Sequence, residues 1–388
     1  MHLLFLTPWH PWPPDNGSRI RVSQLLRSLT ARHEVSLITF AGEPEAPDAE
    51  GLVALGLCRR AVVLPERAFA RTTSSRLRGL FSPMPSHLYA VPTAGMKTAA
   101  RRILAQHPAQ AIITTTTTIA EVGISLPAPC HILEEHNFLG RMMRDRFEAA
   151  SGPLAKARAW ATWRKDIAWE RRLFHRFDLV TMVSETDKAA IQAMACATTR
   201  IEVVPNGVDA AACALVQAAA QPVPDTVIYP GALTYDANLD AVRWFAAEVW
   251  PIVRRARPNA RFLVTGKTDG VDTASLAQTP GLQLTGYLPD VRPTLAAAQV
   301  CVIPLRQGGG RQLGFGRLAV DQAAQVVIDH QQFEDAGAPR IASVGAVLAA
   351  HRAAFGCGRS RVECNDRRGA MRAQPPHQAL RQHAQQAG

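Results

Sequence analysis

The feature that most limits this chain is the alternation of short apolar runs with helical patterns. Leu3–Thr7 is apolar and gives way to a proline-rich loop that ends in Asn16-Gly17. Residues 18–31 then place Ile20, Leu25, Leu26 and Leu29 near one helical face, and Glu34–Phe40 alternates as a strand does. Further strand patterns fall at Ala61–Leu64, Ala111–Thr115, Ile132–Glu134, Leu179–Val183 and Ile201–Val204, most of them separated by helical stretches. Strands that recur with helices between them imply crossover connections, and so a parallel, doubly wound α/β sheet.

After residue 209 the composition changes. Residues 210–225 are small, uncharged until Asp225, and include Pro222 and Pro224, which reads as a connection between domains. A second series follows, with strands at Thr226–Tyr229, Arg261–Thr265, Leu282–Thr285 and Val300–Pro304 and helices over Asn238–Arg255 and near Val291–Ala298. The expectation is a Rossmann-like domain over 1–209, a linker over 210–225 and a second Rossmann-like domain from 226. Ligands in such sheets lie beyond the carboxyl ends of the strands, here in an interdomain cleft. Past Gly310 the pattern dissolves: residues 311–388 hold ten Arg and ten Gln but no Lys, Trp or Tyr. The second domain therefore reads as incomplete, spanning 226–310, with 311–388 an atypical tail, frameshifted near Gly310, disordered, or the remnant of a shortened domain.

Bulk properties narrow the class. At 47% hydrophobic and 19% charged over 388 residues, the chain has enough apolar material for two cores. Its seven cysteines are scattered, odd in number and without a C-x-x-C, which excludes a disulfide framework and suits a reducing, cytoplasmic setting. The first residues lack a basic start and break at prolines, unlike a secretory signal, and no run approaches the ~20 apolar residues of a membrane span. The net charge of +11 is concentrated: residues 141–176 carry ten Lys/Arg against four Asp/Glu. Such a surface attracts phosphate-rich partners. Nucleic acid is not expected, because the segment has no recognised binding motif. Residues 154–177 read as one helix with Trp160, Trp163, Ile167, Phe174 and Phe177 at helical spacing. That stripe either packs on the first sheet or rests in part on an anionic membrane.

Several short segments carry chemistry. Asn16-Gly17-Ser18, between the first strand and helix, lets a ligand approach the backbone and a helix N-terminus, or is simply a turn with Ser18 as N-cap. Glu134-Glu135-His136-Asn137 follows a strand at its carboxyl end, where an imidazole can bond a ligand hydroxyl or move a proton. Ser184 with Asp187 is close to a capping box, a structural role. Asn206-Gly207 is a turn that could act as a hinge. Gly231 ends one strand, Lys267 follows another, and Gly308-Gly309-Gly310 could cradle phosphate through backbone N–H groups or be a flexible loop. No D-x-D pair of carboxylates occurs.

In order and spacing, FLTPWHPWPPDNGSRIRVSQLLRSL, EEHNFLGRM, FDLVTMVSETD, VVPNGVD, YPGALTYDANLDAVRWF, RFLVTGK and LTGYLPDVRPTLAAAQVCVIPLRQGGG resemble family 4 glycosyltransferases of the GT-B fold. Within that family they are most similar to bacterial sugar transferases of exopolysaccharide and protein-sorting systems. The resemblance implies a retaining transferase that takes a nucleotide-sugar donor and a glycan or lipid-linked acceptor, working in the cytoplasm or peripherally on the membrane's inner face. It implies His136 and Glu135 as catalytic residues and Asn16, Gly17 and Ser18 as the acceptor-side cleft loop. Gly231, Lys267, Tyr287, Leu288 and Gly308–Gly310 would bind the donor, and Asn206 and Gly207 would form the hinge; with no D-x-D pair present, the resemblance implies neither a metal nor another cofactor. Two departures leave a catalytically inactive or truncated relative as the alternative. The stretch ALTYDANLDA lacks the Arg and Lys of many relatives, and residues 311–333 lack the glutamate that holds the donor ribose.

Overall fold

The computed structural model describes residues 1–41, 46–65, 82, 84–85, 88, 91, 93–194, 199–207 and 209–305, together with the backbone of 324–326. The expectations for Gly308, Gly309 and Gly310, and for nearly all of 311–388, lie outside the described residues.

The first part of the chain runs β1 (His2–Leu6), α1 (Gly17–Thr30), β2 (Glu34–Phe40), α2 (Ala49–Ala54), β3 (Arg60–Leu64), α3 (Ala94–Gln106) and β4 (Ala111–Thr115). It continues through α4 (Ala120–Ile124), β5 (His131–Glu134), α5 (Leu139–Ala149), α6 (Pro153–Phe174), β6 (Leu179–Met182), α7 (Glu185–Ala193) and β7 (Ile201–Val203). The seven strands form one sheet in the order β3-β2-β1-β4-β5-β6-β7, every pairing parallel. Helices cover both faces, so successive residues of β1 enter different cores. Leu4 and Leu6 pack with Ile38, Met96 and Leu104, while Leu3 and Phe5 pack with Val22, Leu26, Val35 and Leu37. This is why the central strands read as unbroken apolar runs, and burying each such side chain contributes about 1.5–3 kcal/mol.

The second part comprises α8 (Ala210–Ala219), β8 (Val223–Pro230), α9 (Asp236–Trp244), a π-helical stretch (Phe245–Val249), α10 (Trp250–Ala256), β9 (Arg261–Thr265), α11 (Ala274–Ala277), β10 (Leu282–Gly286), α12 (Arg292–Ala297), β11 (Ala298–Val302) and β12 (Ala324–Val326). Its sheet, also parallel, has the order β10-β9-β8-β11-β12. Phe262 packs against Phe245 and Trp250, whose indole N–H donates to the Pro280 carbonyl at 2.8 Å.

Four expectations need correction. The segment 210–225 carries regular structure, and its last residues belong to the second sheet: Asp209 caps α8 by accepting from the Ala212 N–H at 2.9 Å, and β8 begins at Val223. The second sheet does not stop at 310, because β12 pairs with β11 through Val300↔Ala324 and Val302↔Val326. The N-cap of α1 is Asn16, which accepts from the Arg19 N–H at 3.0 Å, and Ser18 lies inside the helix. The aromatic stripe expected over 154–177 also splits, and α6 ends at Phe174. Phe174 and Phe177 are in the core, Trp163 stacks on Phe147 of α5 at 5.7 Å, and Trp160 is 51% exposed.

Candidate active site

Both sheets change winding direction at their middle, between β1 and β4 and between β8 and β11, and the loops beyond the carboxyl ends there form the sites such folds use. In the first sheet, β5 ends at Glu134 and delivers Glu134, Glu135 and His136 to a buried network. Glu134 Oε2 accepts from His136 Nε2 at 2.8 Å, and Glu134 Oε1 accepts from Arg21 Nε at 2.5 Å. Arg21 reaches this point from α1 and also donates to the Val204 carbonyl at 2.8 Å and to Asn206 Oδ1 at 3.1 Å. The Trp9 ring meets the His136 ring at 5.5 Å with an interplanar angle of 63°.

The carboxyls of this cluster differ in state. Burial pushes Glu134 up, but His136 and Arg21 outweigh it and hold the group below the usual carboxylate range. Glu135 stands well above that range, because burial is reinforced by Glu170 and Glu134 and opposed only by the Thr117 N–H. Behind it, on α6, burial raises Glu170 to about 8 although the Gly140 N–H donates to it at 2.9 Å, and raises Asp166 to about 7. The two neighbouring carboxyls are thus driven in opposite directions, Glu134 toward the anion beside His136 and Glu135 toward the neutral acid.

The second sheet builds its end from backbone. The Gly231 N–H donates to the Thr265 carbonyl at 3.2 Å, the Leu233 N–H to Lys267 at 2.9 Å and the Gly266 N–H to Gly286 at 2.8 Å, joining the loops after β8, β9 and β10. Gly266 has φ +113°, and a Cβ there would stand 2.6 Å from the Ala232 backbone, so no other residue fits without displacing the neighbouring loop. Lys267 Nζ lies 5.3 Å from the Tyr287 ring centroid. Tyr287 in turn donates to Asp15 Oδ2 at 3.1 Å, across from the first sheet. Asp15 also pairs with Arg19 at 3.1 Å.

A cavity of about 570 Å³ opens between these loops, lined by Trp12, Pro13 and Asp15 on one side and by Lys267, Thr268, Asp269, Gly286 and Tyr287 on the other. Of the residues expected at the cleft, Lys267 and Tyr287 line it. Asn16 and Gly17 are exposed beside it, while Gly231 and Leu288 sit in adjoining loops. His136 is brought instead to Glu134 and, through it, to Arg21 and Asn206, while Glu135 lies beside Glu134 and Glu170. Ser184 caps α7, accepting from the Asp187 N–H at 3.1 Å. Sequence reasoning missed Asp15 and Arg21. A charged residue four positions before Leu25, on the apolar face of α1, was the available signal for Arg21. Among the described residues, no three His, Cys, Asp or Glu side chains gather as a metal site requires.

The model of Glycosyltransferase Family 4 matches residues 15–212, and that of Glycosyl transferases group 1 matches residues 224–326. The chain belongs to glycosyltransferase family 4. A search of curated proteins finds no match. Among solved structures, this glycosyltransferase is similar to sucrose-phosphate synthase from Thermosynechococcus elongatus (14% identity, 90% of each chain covered, TM-score 0.62). It is also similar to the E. coli trehalose-6-phosphate protein bound with UDP-2-fluoro glucose (13%, 84% of each chain, TM-score 0.54). Anabaena HepE in complex with UDP and glucose matches at 15% identity over 84% of this chain and 80% of that one, with a TM-score of 0.50. At such identities the likeness is one of fold, and the fold of this glycosyltransferase is GT-B. No described helix is long and apolar enough to cross a membrane.

Proposed function

We propose that this glycosyltransferase moves a sugar, with retention of anomeric configuration, from a nucleotide-sugar donor to a glycan or lipid-linked acceptor in cell-surface polysaccharide synthesis. The reaction breaks the bond between the anomeric carbon and the diphosphate oxygen. It forms one to the acceptor hydroxyl oxygen, whose proton is released. The observation that carries the reading is the cavity in which Lys267 and Tyr287 of the second sheet face Asp15 of the first. Lys267 supplies positive charge for the departing diphosphate, and the Tyr287-Leu288 segment, with Gly231, holds the nucleotide. HepE is in complex with UDP and glucose and the E. coli protein is bound with UDP-2-fluoro glucose, which supports a uridine nucleotide here. His136 contacts the donor sugar when the domains close about Asn206-Gly207, and no metal is required.

Calorimetry with UDP-, GDP- and ADP-sugars tests this. Binding by one nucleotide class, weakened in Lys267→Ala, is the expected result. Because residues 311–333 lack a glutamate, affinity is expected to be about tenfold or more below that of a relative with the ribose contact. Binding by none of the three classes favours a catalytically inactive relative.

A membrane-surface acceptor has one observation in its favour. Leu154 is 84% and Trp160 51% exposed on the first half of α6, among exposed Lys156, Arg158 and Arg164. Each such cation near an anionic bilayer adds about 1 kcal/mol. Salt-reversible pelleting of the chain with anionic vesicles, lost in Arg158→Glu/Arg164→Glu, is expected; a chain that stays in the supernatant at low salt rules the surface out.

A further inference from the structure

We propose that Arg21 and Glu134 are positioning residues for His136, fixing which ring nitrogen carries the proton and tying that choice to the loop through which the chain leaves the first sheet. The inference rests on the reading of His136 as a functional residue. Arg21 and Glu134 are each 3% exposed and stand 113 positions apart in the chain. A buried ion pair of this kind is poorly explained by stability. Desolvation consumes most of the attraction, and an apolar pair of similar volume is often as stable.

Geometry gives the pair a purpose. Glu134 uses both oxygens, one on the Arg21 guanidinium and the other on His136 Nε2. A carboxylate only accepts, so Nε2 must carry the proton, and Nδ1 becomes the nitrogen that can accept from, or when charged donate to, a sugar hydroxyl. Trp9 fixes the plane of the ring from the β1 side. Of the other acids facing the cluster, Glu135 just beyond β5 and Glu170 on α6 are driven toward neutrality by burial, which leaves Glu134 as the charge that sets the tautomer. The same guanidinium grips Val204 and Asn206, just beyond β7. A rearrangement of that loop therefore pulls on the cation that orients His136.

The experiment uses the full chain labelled with 15N-histidine and long-range 1H–15N spectra, the His136 signals being assigned by their loss in His136→Gln. The wild type is expected to show the Nε2–H tautomer. In Glu134→Gln the side-chain oxygen stays on Arg21 and the NH2 faces the ring. The tautomer should therefore invert to Nδ1–H, and kcat should fall about 100-fold with KM within about twofold. Arg21→Met/Glu134→Met, which removes both charges together, should fold and give a mixture of tautomers, and it decides the matter if Glu134→Gln does not fold.

An Nδ1–H tautomer in the wild type would overturn the proposal. So would an unchanged Nε2–H signal in the folded variants. If the tautomer inverts in Glu134→Gln while His136→Ala keeps full turnover, the role of His136 fails and the positioning stands. If His136→Ala loses turnover while Glu134→Gln alters neither tautomer nor kcat, the positioning fails and the role of His136 stands.

Discussion

The carboxyl ends of the two sheets are constructed from different materials. At the first, Arg21, Glu134 and His136 are side chains from distant segments, buried together and locked by charge-assisted hydrogen bonds. At the second, Gly231, Gly266 and Gly286 bring three loops together through main-chain hydrogen bonds, and the side chains they present, Lys267 and Tyr287, reach into an open cavity. One end holds a polar group in a fixed orientation, as a reacting sugar needs. The other spends its main-chain N–H groups on joining loops and leaves the Lys267 and Tyr287 side chains to face the cavity.

The contrast can be broken most sharply at His136. His136→Ala should lower kcat about 100-fold, the loss of one charge-assisted contact made in the transition state, while the circular dichroism spectrum is unchanged. Turnover within threefold of wild type would mean that the first end is only structural. Paired glycine substitutions test the other half. Gly266→Ala forces a Cβ to 2.6 Å from the Ala232 backbone at φ +113° and should cost about 2–3 kcal/mol in urea unfolding. Gly17→Ala, with nothing within 4 Å of its Cβ, should change stability by less than about 0.5 kcal/mol. Equal costs at the two positions would erase the distinction. A smaller effect is expected of Lys267→Ala. Donor affinity measured by calorimetry should fall about tenfold, the value of one charged hydrogen bond, with stability preserved.

How far each end could be read in the sequence follows from the same difference. Alternation is a local signal, so Glu34–Phe40 and Arg261–Thr265 are strands over the residues their pattern names. Lys267 was legible from its place just after the strand pattern ending at Thr265, whereas Tyr287 was reached only through the family resemblance. Arg21 was not, because its meaning depends on Glu134, a partner contributed by another strand. The helix at 210–219 was not legible, since small uncharged residues suggest a connection, yet alanine is the strongest helix former and Asp209 supplies a cap. For β12 the surrounding composition offered no periodicity, and only pairing with β11 reveals the strand.

The smallest effect separates the two ends by pH. Glu170, behind the His136 network, has its carboxyl raised by burial from 4.5 to about 8, and Asp166 rises from 3.8 to about 7. Their folded values exceed the unfolded ones, so between these limits the unfolded chain binds fewer protons than the folded chain. Stability must therefore decrease as pH rises from about 5 to 8, by up to about 1.4 kcal/mol per pH unit for each group. Glu170→Gln keeps an acceptor for the Gly140 N–H, which donates to the glutamate at 2.9 Å, and removes one titration. Urea midpoints across this range should accordingly have a shallower slope in the variant, and the variant should be the more stable protein at pH 8. A slope identical to wild type would show that Glu170 is ionised in the folded state. The field around His136 would then contain a second anion, and Glu134 alone could not set its tautomer.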